Sequence, residues 1–373
     1  MPGWVPTGNL NTPRDTHTAT KLPNGTVLVH GGRTFTADPL STTFLNTSEL
    51  FAPGTGTWAP TGTAFYERTQ HSATLLRNGK VLVVGGVVPS SIQPPYGPGG
   101  TELYDPATGR WENAAPLNFP REYPAVTPLS DGRVLVAGGS DPTGKDPTVP
   151  RTAEIFDPVT QGWVPTGSLV FGRGLFTATL LTSGLVLVVG GVDFNDEARQ
   201  TCELYEPAAG RWRLTGVLGA YRLGHTATLL NVGTVLVAGG VYYTSGSQYP
   251  TIADTEIFDP TTELWSFVGL LNEARVNHTA TLLPDGKVLV VGGAQKDQSG
   301  GRVLNSTELY DPATQTWTLA DDLNTARTWH TQTLWPPRLG STRFTVMVAG
   351  GADVVSNSLN SAELFSGPTI IHA

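Results

Sequence analysis

Seven arginines recur at near-equal spacing, Arg14, Arg68, Arg121, Arg173, Arg222, Arg275 and Arg327. A guanidinium is a planar fork suited to a carboxylate or phosphate. Seven glutamates recur beside them, Glu49, Glu102, Glu154, Glu203, Glu256, Glu308 and Glu363, each two residues before an aromatic. Two chemistries are open: a ring of forks that binds anions, or a buried Arg–Glu pair in each unit that satisfies both sets without a ligand. Equal numbers and matched spacing favour the pair, with one or two arginines recruited where neighbouring loops leave them open. Histidine follows the arginine by three residues in five units (His17, His71, His225, His278, His330), with Pro124 and Phe176 in the other two. A ring of imidazoles could bind metal, but no acid accompanies them at ligand spacing, so hydrogen-bonded packing is expected. The acidic turn Asp193-Phe194-Asn195-Asp196-Glu197 has oxygens that could hold Ca²⁺, although such a turn is ordinarily just solvated. The single cysteine, Cys202, excludes an intrachain disulfide and a cysteine-rich metal centre, and reads as a small buried hydrophobe. No metal and no cofactor are expected.

The elements that position these residues repeat with them. Double glycines stand at Gly31-Gly32, Gly85-Gly86, Gly138-Gly139, Gly190-Gly191, Gly239-Gly240, Gly292-Gly293 and Gly350-Gly351. A self-similar period near fifty residues marks a propeller or a solenoid. The sixth unit serves as template. His278 to Leu283 reads as strand A, and Pro284-Asp285-Gly286 as a tight turn whose glycine supplies positive φ. Val288 to Val291 is strand B, an unbroken apolar run expected to be covered on both faces. Thr307 to Tyr310 is strand C, and Trp317 opens strand D. The last unit, ending SAELFSGPTIIHA, lacks its tryptophan, while Gly3-Trp4-Val5-Pro6-Thr7-Gly8 is a strand D without partners. The fragments complement each other, so the N-terminal strand is expected to close a ring beside Ala362 to Phe365 and so remove exposed edges.

Composition fits many short strands: 44 glycines, 29 prolines and only 14% charged residues. The net charge of −8 is largely spread over one repeated turn (Asp105, Asp157, Glu206, Asp259, Asp311), and no basic patch points to nucleic acid. No apolar run is long enough for a membrane span. Met1 is followed almost at once by repeat sequence, which implies a cytoplasmic protein if Met1 is native and a secreted one if a leader has been removed. A monomer is expected.

The Gly-Gly pair, the Glu-Leu-Tyr-Asp-Pro segment and the following tryptophan resemble the kelch repeat, of the bacterial type, over residues 4 to 366. The resemblance implies an all-β, seven-bladed propeller of four-stranded blades, one domain spanning 1–373, with blades near 9–62, 63–115, 116–167, 168–216, 217–269, 270–321, and 322–373 plus 3–8. Blade seven departs from the pattern by an insertion between its strands A and B. In some kelch proteins the repeated arginines bind peptide carboxylates. Galactose oxidase shares the repeat, but its copper site needs a tyrosine cross-linked to a cysteine and two histidines. Here the only cysteine lies inside a strand C and no loop histidine is spare, so that chemistry is not expected.

The resemblance also places the B–C and D–A loops on one face, where the blades differ most. Blade four has the shortest B–C loop, Val192 to Gln200, and ligand entry is expected on that side. D–A loops carry Phe65, Tyr66, Glu67, Glu122, Tyr123, Tyr221 and Trp329; B–C loops carry Tyr242, Tyr243, Tyr249 and the proline-rich Ile92 to Gly99. Aromatics on variable loops typify recognition surfaces. The expected binding set is Tyr66, Arg68, Arg121, Tyr123, Tyr221, Arg222, Arg327, Trp329, Tyr242 and Tyr243. It would take a protein or a small organic ligand, with an organic anion suited to aromatics beside guanidinium forks. The alternative is an isomerase, cyclase or lyase acting on a small organic anion or sugar, with Tyr66, Glu67, Glu122, Tyr123 and Tyr221 as candidate catalytic groups.

Overall fold

Each repeat folds into a four-stranded antiparallel sheet in the order A-B-C-D, and seven such sheets form a closed ring in which neighbouring strands A touch. This computed structural model describes residues 3–37, 40–88, 99–142, 151–193, 199–242, 250–297, 300–337, 343–355 and 357–368. Tyr243, Tyr249, residues 92–98 and residues 194–197 lie outside them. In blade one the strands are A Thr18–Lys21, B Val27–His30, C Ser48–Ala52 and D Thr57–Pro60. Strand B is buried along its whole length in all seven blades except at the first residues of blade seven's longer strand, as its run of Val and Leu requires of a sheet packed between two others. The template strands fall close to expectation, with A at Thr279–Leu282 and C at Thr307–Asp311. Two hairpins were not expected: Arg33–Ala37 with Leu40–Phe44, and Ala294–Asp297 with Gly300–Val303, in the B–C loops of blades one and six. The turn acids are partly structural, for Asp105, Asp157, Asp259 and Asp311 each accept the N–H two residues on.

The glycine pairs join blade to blade. A Cβ on Gly31, at φ 62°, would fall 2.8 Å from the Arg68 carbonyl oxygen of the next blade. Its partner Gly32 donates its N–H to that same carbonyl at 2.9 Å. The bond recurs at every interface, ending with Gly351 to Arg14 at 2.9 Å. The tryptophans work outward of this. Phe51–Trp58, Tyr104–Trp111, Phe156–Trp163, Tyr205–Trp212, Phe258–Trp265 and Tyr310–Trp317 pack with centroids 4.9–5.2 Å apart.

Blade seven consists of A Thr331–Trp335, B Arg343–Ala349, C Ala362–Pro368 and, as strand D, the N-terminal Val5–Pro6. Val5 pairs with Leu364 and Pro6 with Glu363, so the ring is closed by the strand that the sequence pattern assigns to it.

Candidate functional site

The repeated arginines belong to the scaffold. All seven side chains have 0% exposure. In blade four, Arg173 donates from Nη2 to Glu203 Oε1 at 2.8 Å and from Nη1 to the carbonyls of Gly190 and Thr201 at 2.9 and 2.7 Å. The Glu203 carboxylate accepts two further N–H bonds from the D–A loop, from Val170 and Phe171. Each Arg–Glu pair therefore clamps its D–A loop onto strands B and C, and the other six repeat the arrangement. Arg68, Arg121, Arg222 and Arg327 cannot serve as ligand forks, because their guanidinium groups face inward and are wholly covered. The anion preference inferred from them loses its basis.

The histidines are also committed. Each Nε2 meets a threonine hydroxyl on strand A of the preceding blade: His17–Thr331, His71–Thr18, His225–Thr177, His278–Thr226 and His330–Thr279, at 2.8–3.0 Å. Burial, with the nearby arginines adding to it, holds His225 and His330 down to about 3, so they are neutral wedges. Where Phe176 replaces histidine, the partner threonine's place on strand A of blade three is taken by Ala125, which has no hydroxyl to offer.

One residue before that position, all seven blades adopt the left-handed conformation: Thr16, Gln70, Tyr123, Leu175, Gly224, Asn277 and Trp329, with φ between 51° and 63°. Non-glycine residues take this conformation uncommonly, and clusters of it mark functional sites. Neighbours join through the backbone: Gln70 N–H to Thr16 O at 3.1 Å, Thr16 to Trp329 at 3.2 Å, Trp329 to Asn277 at 3.3 Å and Asn277 to Gly224 at 2.9 Å. They form a collar around the entry ends of the seven strands A. No such bond links Gln70, Tyr123, Leu175 and Gly224, so the collar is interrupted across blades two to five. Here the shared backbone geometry carries seven different side chains, and Leu175 and Trp329 are 43% and 37% exposed.

The remaining sequence candidates divide around the collar. Tyr123 and Trp329 are members of it. Glu122, half-buried beside Tyr123, is pushed toward its protonated form first by burial and then by Asp141. The Tyr123 phenol is raised by burial and by Glu122, against a downward pull from Arg33 across the ring. Tyr221 and Tyr242 meet edge-on at 5.6 Å on blade five, both exposed. Tyr66 lies against the buried Arg68 guanidinium at 5.5 Å, and Glu67 is partly exposed beside it. Among these, Glu122 and Tyr123 are neighbours in the chain, and the Tyr221–Tyr242 pair forms a separate aromatic group.

Sequence reading passed over Arg33. It follows the glycine pair, where the other blades carry Val87, Ser140, Val192, Val241, Ala294 and Ala352. In every blade this residue makes a bridge with the residue after the repeated arginine, and only in blade one are both charged, Asp15 with Arg33. The signal was a departure from the repeat at one position in one unit.

The copper chemistry of the galactose oxidase type does not fit these residues. The Cys202 thiol is buried inside strand C (Cys202–Glu206), where burial pushes it up to about 12. Five of the six described histidines are wedged between blades, and His30 bonds Ser48 in a buried pair. No cluster of three metal-ligating side chains occurs among the described residues.

A Kelch motif model matches residues 275–323. A fungal alcohol oxidase of the AA5 family, solved in complex with copper, superposes with a TM-score of 0.73 over 98% of this chain and 76% of its own, at 18% sequence identity. At that identity the likeness shows the fold alone. No curated protein matches the sequence.

Proposed function

This chain is a kelch-repeat β-propeller, and from that premise we propose that it is a binding protein whose ligand, a small organic molecule with an aromatic or apolar body, sits over the collar on the face of the B–C and D–A loops. One observation carries the reading. The repeated arginines, glutamates and histidines are engaged in the scaffold, whereas the collar varies from blade to blade at constant backbone geometry and exposes Leu175, in the blade next to Tyr123, and Trp329, in blade seven. Its interruption across blades two to five leaves the mouth least tied on the side of the short blade-four loop. Calorimetric titration with 2-naphthoate, 2-naphthamide and 2-naphthylmethylamine tests it. At least one probe should bind, and Tyr123→Ala should weaken that binding about tenfold, in keeping with loss of an aromatic anchor, while melting changes little. Binding unaltered in Tyr123→Ala and in Trp329→Ala would refute the placement.

A second reading, an isomerase, cyclase or lyase at the same face, is favoured by Glu122, whose carboxyl burial and Asp141 push upward as a proton-transfer group requires, with the Tyr123 phenol next to it in the chain. It requires turnover that Glu122→Gln abolishes while binding persists.

A further inference from the structure

We infer that Arg33 is the carboxylate-reading group of this face and that the ligand is an aromatic or apolar acid; the inference rests on the collar reading above. Its side chain is 32% exposed, and the guanidinium is held from one side, with Nε donating to Asp15 Oδ1 at 2.9 Å. Neither Nη atom has a hydrogen-bond partner among the described residues, so the edge that would form a fork with a carboxylate is left to the solvent side. That orientation is built in. Asp15 is fully buried, and it takes Ser358 Oγ on its other oxygen at 2.6 Å and the hydroxyl of the collar residue Thr16 at 3.1 Å. Ser358 Oγ in turn accepts the Phe35 N–H at 2.9 Å, and the Phe35 ring lies 5.8 Å from the guanidinium.

The position also suits an anchor. Asp15 immediately precedes Thr16, whose N–H bonds to the Trp329 carbonyl, so Arg33 stands beside the Thr16–Trp329 sector of the collar. From blade three, Tyr123 is close enough to feel the Arg33 charge. A planar acid would thus direct its carboxylate to blade one and its apolar body across the mouth toward Tyr123 and Leu175. Glu122 and Asp141 stand on the blade-three side and would repel the opposite orientation. Asp15 makes Arg33 a positioned fork rather than a free surface charge, and a bidentate pair of this kind discriminates between a carboxylate and its amide.

The test compares 2-naphthoate with 2-naphthamide on the intact chain by calorimetry. Wild type should bind the acid at least about tenfold more tightly than the amide, the discrimination expected of a charge-assisted fork. Arg33→Gln should bring the ratio close to one, chiefly by weakening the acid. Because that variant strands the buried Asp15 carboxylate, the double variant Asp15→Asn/Arg33→Gln, which removes both charges, should give the same ratio. Arg33→Lys should retain only part of the preference. A wild-type ratio near one, with amide binding still dependent on Tyr123, would overturn the inference and leave the collar reading standing. A preference for the acid that survives in both Gln variants would also overturn it. Failure of acid and amide to bind wild type would overturn the inference, and failure of 2-naphthylmethylamine as well would overturn the collar reading with it.

Discussion

The Trp4 indole packs 5.4 Å from the Phe365 ring, so the aromatic pair that six blades build from neighbouring strands is assembled in blade seven from opposite ends of the chain. Trp4 is buried with Leu323, Phe344, Val346 and Val348, and Asn324 Nδ2 donates to its carbonyl at 2.8 Å. Trp4→Ala should cost about 3–5 kcal/mol, the range for truncating a buried aromatic. Deleting residues 1–8 should cost at least as much, because it also bares the edge of strand C. Thermal melts of both variants matching wild type would show that the ring does not depend on this closure.

Glu203→Ala should be more damaging than Glu308→Ala. Removing Glu203 leaves the Arg173 guanidinium buried without a carboxylate, whereas Arg275 keeps Glu273 at 3.8 Å as a second acid. Stranding a buried charge costs about 3–5 kcal/mol. Denaturant midpoints check the order, and equal or reversed losses would contradict the clamp geometry.

Acid should loosen the interfaces before it reaches most carboxylates. An unfolded imidazole takes up a proton near 6.5, whereas native His225 and His330 resist it until about 3. Between those values the unfolded chain binds more protons. The stability these groups contribute is therefore complete above about pH 6.5 and declines as pH falls through the window, by about 1 kcal/mol per pH unit for each histidine. His17, His30, His71 and His278 shift in the same direction. Glu102, which burial pushes up, acts with the opposite sign, adding stability only at acid pH. Urea midpoints should fall from pH 7.5 to pH 5, and His225→Asn should flatten the slope. A midpoint constant over that range would contradict neutral, buried histidines.

Much of the fold was legible because it depends on features that repeat: the apolar strand B, the glycine pair that admits the next blade's carbonyl, the aromatic–tryptophan pair, and an orphan strand D at one end matching a missing one at the other. The Arg–Glu pairing was legible for the same reason, since a role met in every blade leaves its residues in register. The collar was less so. Its members are Thr, Gln, Tyr, Leu, Gly, Asn and Trp, united by a left-handed backbone rather than by a residue type, and only Tyr123 and Trp329 drew notice as loop aromatics. Arg33 escaped because it breaks the pattern once, at a position where the template blade carries Ala294 and where a B–C hairpin was expected in neither blade. The arginines Arg68, Arg121, Arg222 and Arg327 were assigned to ligand binding because charge is visible in a sequence and burial is not.

Amide hydrogen exchange, with and without saturating 2-naphthoate, tests the central claim most directly, because it locates the ligand without mutation. The account predicts protection confined to segments 14–18, 33–36, 121–125, 173–177 and 327–331, which carry Arg33 and the collar residues Thr16, Tyr123, Leu175 and Trp329. The opposite face supplies the contrast, a cleft of about 370 Å³ between blades one and seven lined by Phe51, Trp335, Arg343 and Leu364. Protection at 51–54 and 335–336 with none at the collar, or no protection in either place, would contradict it.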